Sequence, residues 1–211
     1  LVPTIVSGIN DNEIGNILDF ALSNLPYVKG VHFQPASYFG RYPSEYIGNR
    51  LTMPELIDLI EIQTEGKMPV SAFIPPASEH PLCSFNGRFA KKKDGSIKVL
   101  TQFGKMRASC CSGNNAAQDA RKYVARNWTL ATENLAINKN QQIDISSLDS
   151  FLEESKYTLT VSGMVFQDAW SLDLNRLKYC HIHVVSNENK LIPFCAYNLT
   201  SSNGQSHYRN K

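Results

Sequence analysis

Apolar positions in the first third of the chain alternate between strand-like and helix-like spacing. A short β-branched run, LVPTIV, is closed by Gly8 and Asn10. Ile14, Ile17, Leu18, Ala21, Leu22 and Leu25 then recur as one face of a helix. Pro26 ends that pattern, and Val28–Pro35 (VKGVHFQP) returns to a strand-like run. Strand, helix and strand with short connections form a βαβ unit, which implies parallel pairing and a right-handed crossover. A second helix carries Leu56, Leu59 and Ile60, Gly66 is placed to stop it, and Met68–Ile74 supplies a third strand. Residues 1–74 therefore predict β-α-β-α-β. Both helix starts have capping-box spacing, Asn10-x-x-Glu13 and Thr52-x-x-Glu55, where a side-chain oxygen accepts a backbone N–H and the glutamate reaches back.

After Pro75-Pro76 the alternation stops, which divides the chain into a βα region, 1–75, and an α+β region, 76–211. Residues 77–113 are rich in turn formers, with a hairpin predicted around Lys93-Asp94-Gly95-Ser96. Helices are predicted at Ala116–Trp128 and Ser147–Glu154, a polar loop at Asn138–Asp144, a strand at Tyr157–Ser162 and a helical turn at Leu172–Lys178. The last pattern is a hairpin, His181–Val185 and Lys190–Phe194 about a polar segment, Ser186–Asn189. Folding it between Asn187 and Glu188 sets Cys180 across from Cys195. Directly opposed cross-strand Cβ atoms lie about 4.5–5.5 Å apart.

Composition narrows the class. With 211 residues, 42% hydrophobic and 19% charged, the chain has the balance of a globular protein with ample core. A net charge of +2 gives no electrostatic basis for nucleic-acid binding, and Lys91–Lys93 is followed at once by Asp94 and Gly95, as in a solvated turn. No apolar run reaches the roughly 18 residues that span a bilayer. The opening LVPTIVSG reads as a strand and not as a signal peptide, giving the expectation of a cytoplasmic protein and of a piece of something longer. Five cysteines, Cys83, Cys110, Cys111, Cys180 and Cys195, favour free thiols or a metal site over a disulfide framework.

Candidate chemistry falls in two places. Ligands of parallel βα arrays bind at the carboxyl ends of the strands. Here that edge offers Gln34, Ser37, Glu79 and His80, with Gly8 and Gly40 allowing close backbone approach. Neither GxGxxG nor GxxxxGK[ST] is present, and no GxSxG or HExxH argues for a hydrolase. The second place is the cysteines. Cys83, one of Cys110 and Cys111, Cys180 and Cys195 could hold a [4Fe–4S] cluster, a single iron or a zinc; a disulfide and buried, merely packed thiols are the alternatives. In a strand, His181 and His183 fall on the face opposite Cys180, so they are read as a surface pair and not as co-ligands.

LVPTIVSGINDNEIGNILDFAL resembles the late strand and helix of the radical S-adenosylmethionine barrel. GVHFQPASYFGRYP, FIPPASEHPLCSF, SGMVFQDAWSLDLNRLKYC and HVVSNENKLIPFCAYNLTS resemble the C-terminal half of one branch of that family. The branch includes tetraether-lipid-synthase-like, methanopterin-methylase-like and radical SAM (seleno)protein groups. The resemblance implies a partial parallel (β/α) barrel followed by an α+β C-terminal domain. It implies S-adenosylmethionine near Val6, His32 and Gln34, and an auxiliary [4Fe–4S] or iron centre on Cys83, Cys110, Cys180 and Cys195. The family's radical-generating cluster sits on a CxxxCxxC loop that does not occur in this sequence. The resemblance therefore implies a C-terminal part of an enzyme that methylates or joins an unactivated carbon of a small-molecule or lipid-like substrate, inactive on its own. The alternative is a non-enzymatic thiolate-metal or substrate-binding module. An open strand edge next to the remaining barrel half also implies edge-to-edge pairing or dimerisation.

Overall fold

The computed structural model describes residues 1–39, 50–76, 80–101, 157–201 and 203–209. Strand β1 (Thr4–Ile5) pairs in parallel with β2 (Gly30–Pro35), Thr4 opposite Gln34, and α1 (Ile14–Ser23) runs between them in sequence. This is the predicted βαβ unit, with Ile14, Leu18, Ala21 and Leu22 on the buried face of α1. Helix α2 (Met53–Gln63) begins with the predicted capping box: Thr52 Oγ1 accepts the Glu55 N–H at 3.5 Å, and Glu55 Oε2 accepts the Thr52 N–H at 2.8 Å. Gly66, at φ 76°, closes the helix by donating its N–H to the Glu61 carbonyl.

The Asn10 box does not form. The Asn10 amide turns back on the strand instead, Oδ1 accepting the Val6 N–H at 2.7 Å and Nδ2 donating to the Thr4 carbonyl at 3.0 Å. Short polar side chains compete for nearby backbone in this way. A 3-10 turn, Asp11–Glu13, leads into α1 without a side-chain cap. Gln63, at the end of α2, ties the two helices together: its Nε2 donates to the Asp11 carbonyl at 2.7 Å and its Oε1 accepts the Gly15 N–H at 2.9 Å.

Residues 68–74 do not form a third parallel strand. Pro69 has no N–H to donate and starts a 3-10 turn, Val70–Ala72, leaving a single antiparallel bridge from Ile74 to Asn86. The place beside β2 is taken from far along the chain. With β3 (Ser84–Lys91) and β4 (Ile97–Val99), strand β5 (Thr158–Met164) completes a five-stranded sheet in the order β1-β2-β5-β3-β4. β5 runs parallel to β2, with His32 opposite Ser162, whereas β3 is antiparallel to both β5 and β4. The predicted Asp94-Gly95 hairpin joins β3 to β4, and antiparallel β3 makes the sheet mixed. Strands from both sides of residue 75 share this sheet and one apolar core.

The two faces of the sheet differ. Val31, Phe33, Phe89, Leu159 and Val161 pack with Ile14, Leu18, Leu56 and Ile60 in the core. His32, Gln34, Asn86, Arg88, Thr160 and Ser162 alternate with them and form a half-buried polar face. Gly163 lies opposite Phe85, where a Cβ would come within 2.6 Å of the Phe85 ring. The bare backbone leaves room for that ring, which stands edge-on to Phe73 at 5.3 Å.

The C-terminal elements are α3 (Leu174–Lys178), β6 (His183–Val185), β7 (Leu191–Pro193) and α4 (Phe194–Tyr197). The hairpin forms, but His183 pairs with Pro193 and Val184 with Ile192, one residue off the expected register. Asn189 occupies the left-handed region at φ 59°, which makes a three-residue loop closed by the Ser186 N–H on the Lys190 carbonyl. The ladder also ends early. Cys180 sits in the turn after α3 and Cys195 inside α4, so neither is a strand residue. Cys110, Cys111, Gly40, Glu79 and the elements predicted at 116–128, 138–144 and 147–154 lie outside the described residues.

Candidate functional site

The carboxyl ends of β1, β2 and β5 lie along one edge of the sheet, because the three strands are parallel. The N-terminal end of antiparallel β3 meets them there, Ser84 pairing with Met164. Three groups of polar and thiol side chains gather at or near this edge.

The first is on the polar face. His32 Nδ1 lies 2.9 Å from Ser162 Oγ across the β2–β5 pair. Burial lowers the pKa of His32, so its neutral form is favoured. Gln34 follows two residues on along the same face, and its backbone N–H donates to the Pro3 carbonyl at 3.0 Å. Val6 is half-buried just past the end of β1, where its carbonyl accepts the N–H groups of Ile9 and Asn10. His32 and Gln34 are thus brought together, with Val6 following Ile5, which pairs with Pro35.

The second group is centred on Asp168, which is fully buried. Its Oδ2 accepts the Tyr38 N–H at 2.8 Å and lies 2.7 Å from Arg50 Nη1. Its Oδ1 accepts the N–H groups of Trp170 and Ser171, at 3.1 and 3.3 Å, and the Ser171 hydroxyl at 3.1 Å. Desolvation pushes the carboxyl pKa up, but Arg50, the Tyr38 N–H and Ser171 outweigh it and hold the group below the usual carboxylate range. The Arg50 guanidinium lies 4.7 Å from the Tyr38 ring centre and 5.8 Å from that of Trp170. Ser37 Oγ adds a hydrogen bond to the Phe166 carbonyl at 3.0 Å, so the loops after β2 and β5 are fastened together.

The third group is a cavity of ≈ 30 Å³ lined by Cys83, Cys180, Cys195, His80 and His181, with apolar walls that include Met164, Phe166, Ile182 and Phe194. Three of the four cysteines singled out as ligands therefore share one cavity. Cys83 accepts a hydrogen bond from Arg176 Nη2 at 3.3 Å, and the buried Cys195 accepts the Gln167 N–H at 3.3 Å. Burial pushes the Cys195 thiol up, and the neighbouring Cys180 and Cys83 push it further in the same direction. His181 and His183 are both exposed, as a surface pair. Residues 180–182 precede β6, so alternation does not govern them and His181 lines the same cavity as Cys180. His80 also lines it, its Nδ1 accepting the Leu82 N–H at 3.2 Å.

Residues missed at sequence level are Arg50, Asp168, Gln167 and Arg176. Asp168-x-x-Ser171 is a local turn signal that could have marked Asp168. Nothing local links Arg176 to Cys83, which is 93 residues away.

These features define an α/β protein that concentrates a polar sheet face, a buried ion pair and a thiol-lined cavity at one sheet edge. No known family model matches the chain. It is 28% identical, over 239 aligned positions, to a 7,8-dihydro-6-hydroxymethylpterin dimethyltransferase of Methanocaldococcus jannaschii, an alignment covering 94% of this chain and 47% of the relative. The chain spans about half the length of that curated relative.

Proposed function

We propose that this chain is part of a methylating enzyme of the radical S-adenosylmethionine type, acting on an unactivated carbon of a pterin-like small molecule. One observation carries the reading, the match across 94% of the chain to a pterin dimethyltransferase. The long motifs after residue 30 support the radical S-adenosylmethionine assignment. In this reading β1, α1, β2 and β5 belong to the closing part of a (β/α) barrel, and the polar face looks into its lumen. The remaining barrel strands pair with the open edge of β1.

S-adenosylmethionine, when bound, would supply the radical chemistry. The chain's own residues bind and orient. His32, neutral and held by Ser162, and Gln34 offer hydrogen-bond donors and acceptors to the adenosine, with Val6 packing beside them. Asp168 and Arg50 fix the two loops that border this face. The thiol cavity serves as an auxiliary metal centre on Cys83, Cys180 and Cys195, with Cys110 as the further sulfur donor of the four-cysteine arrangement. Three sulfur donors line one cavity, and an arginine and a backbone N–H are aimed at two of the sulfurs, but among the described residues no three ligating groups are placed to hold a metal ion.

The test is methylation of the pterin by the full-length gene product under reducing, anaerobic conditions. His32→Ala and Gln34→Ala are expected to raise the Kd for S-adenosylmethionine while leaving metal content unchanged. A full-length product without CxxxCxxC, or one that binds no S-adenosylmethionine, defeats the proposal. The thiol cavity also favours a second reading, a non-enzymatic metal-binding module. That reading gains if the chain alone binds metal and its gene encodes no further domain.

A further inference from the structure

We infer that Asn86 determines substrate specificity, its carboxamide reading the cyclic-amide edge of a planar heterocycle, a ring N–H beside a ring C=O, as a pterin presents. The inference rests on the pterin-methylating reading and names the strand on which the substrate is recognised.

Residue size gives the polar face its relief. β5 lies between β2 and β3, and at its centre it shows this face only the small hydroxyl side chains of Thr160 and Ser162. β2 raises His32 and Gln34 on one side, and β3 raises Asn86 and Arg88 on the other. His32, Ser162 and Asn86 stand in one cross-strand row, so their side chains share a face. With neighbouring strands about 4.8 Å apart, the His32 and Asn86 backbones are separated by roughly 9–10 Å. Between them is a trough with room for a flat ring over Ser162.

Asn86 brings to this trough a carboxamide that the fold does not use. Its backbone is fixed, the N–H donating to the Ile74 carbonyl at 3.0 Å and the carbonyl accepting the Ile74 N–H at 2.9 Å. Its side chain is half-buried and makes no hydrogen bond among the described residues. Polar groups removed from water normally find partners within the chain, as His32 and Ser162 do at 2.9 Å. An unpaired carboxamide on a fixed strand is available to a ligand instead. Its Nδ2 donates and its Oδ1 accepts side by side, the complement of a ring C=O next to a ring N–H.

The neighbours agree. The Thr160 hydroxyl, a diagonal neighbour of Asn86 about 7–8 Å away, is also unpaired among the described residues and offers a further contact to the same ring. Gln34 carries the other unpaired carboxamide of this face, on the opposite wall with His32. In this arrangement the cofactor side belongs to β2 and the substrate side to β3. The two molecules then meet over the small residues of β5, with no side chain large enough to part them.

The experiment is equilibrium dialysis of the full-length gene product under anaerobic conditions, with 7,8-dihydro-6-hydroxymethylpterin and with its N3-methyl analogue, which lacks the ring N–H. The wild type is expected to bind the parent pterin about 10-fold more tightly than the analogue, the worth of one or two neutral hydrogen bonds. Asn86→Ala should weaken the parent pterin by a similar factor and bind both forms equally, with the Kd for S-adenosylmethionine unchanged. Thermal denaturation checks that the variant folds. Equal binding of the two pterins by the wild type overturns the assignment without any variant. So does an Asn86→Ala protein that keeps the preference, or one that loses S-adenosylmethionine and not the pterin. In those cases a product that still methylates the pterin keeps the proposed function. A product that binds no pterin overturns both.

Discussion

Asp168→Asn is the most informative single change, because every neighbour of that carboxylate is a donor. Its two oxygens face five: Arg50 Nη1 and the Tyr38 N–H on one side, the N–H groups of Trp170 and Ser171 and the Ser171 hydroxyl on the other. A carboxamide of the same shape has one accepting oxygen and an NH₂ that must meet donors whichever way it turns. It does best toward Ser171, whose hydroxyl can rotate to accept, and there it forfeits two backbone N–H bonds. It also leaves the Arg50 charge unpaired. Breaking a buried ion pair by removing one partner costs about 3–5 kcal/mol. The Arg50 side chain keeps 25% of its surface in solvent and can rehydrate in part, which favours the lower end. A loss of about 3 kcal/mol lowers Tm by roughly 6–12 °C for a chain of this size. Because the carboxyl is held below its ordinary value, its contribution is complete above about pH 4 and is lost as pH falls further, so the variant and wild type should converge in acid. Denaturant unfolding at pH 7 and pH 3 measures both effects. A loss below about 1 kcal/mol at pH 7, the range of exposed pairs, refutes the buried-pair account.

Three further outcomes follow from the fold. Burial depresses the pKa of His32, so the unfolded chain binds its proton more readily; stability should be full above about pH 6.5 and decline as pH falls toward the lower folded value. His32→Gln should flatten Tm across that window, and an unchanged slope would count against burial of the ring. Gly163→Ala drives a methyl into the Phe85 ring at 2.6 Å and should cost about 1–3 kcal/mol by denaturant titration; a neutral result would mean that the Phe73–Phe85 packing is slack. Thr52→Ala removes the capping-box oxygen of α2 and should cost about 1 kcal/mol, whereas Asn10→Ala should cost nothing through helix capping, because Asn10 does not cap α1.

Local signals carried the first half of the fold. The 3.6-residue spacing of Ile14, Leu18 and Leu22, the Thr52 box and the Asp94-Gly95 turn each depend on residues a few positions apart, and each formed where its chemistry predicted. The miss at residues 68–74 was also local in origin, since Pro69 weighed too little against the mostly apolar stretch around it. What no local signal held was the insertion of β5 beside β2, a pairing of residues 130 positions apart. The grouping of three cysteines was suggested by composition and not by geometry. Choosing Cys83, Cys180 and Cys195 was enough to find the cavity, but the hairpin register was off by one, because Asn189 adopts the left-handed conformation. The strand itself was begun two residues early, at His181 where β6 starts at His183.

The structure joins the three groups through consecutive residues after β5. Phe166 gives its carbonyl to Ser37, at the end of β2. Gln167 gives its N–H to Cys195 and its side-chain oxygen to the Asp173 N–H at 2.6 Å, which anchors the start of α3. Asp168 binds Tyr38 and Arg50. Arg176, two turns further on, reaches back to Cys83 and to the Val165 carbonyl. Any shift of this segment is therefore felt both at the loop bordering the polar face and at the thiol cavity. Rigid elements that touch both sites are what energetic coupling between them requires. The segment is short and its backbone groups are already committed, so it has little freedom to move one contact without the others. A ligand that draws Cys195 inward must carry Gln167 with it, and Asp168 is the next residue.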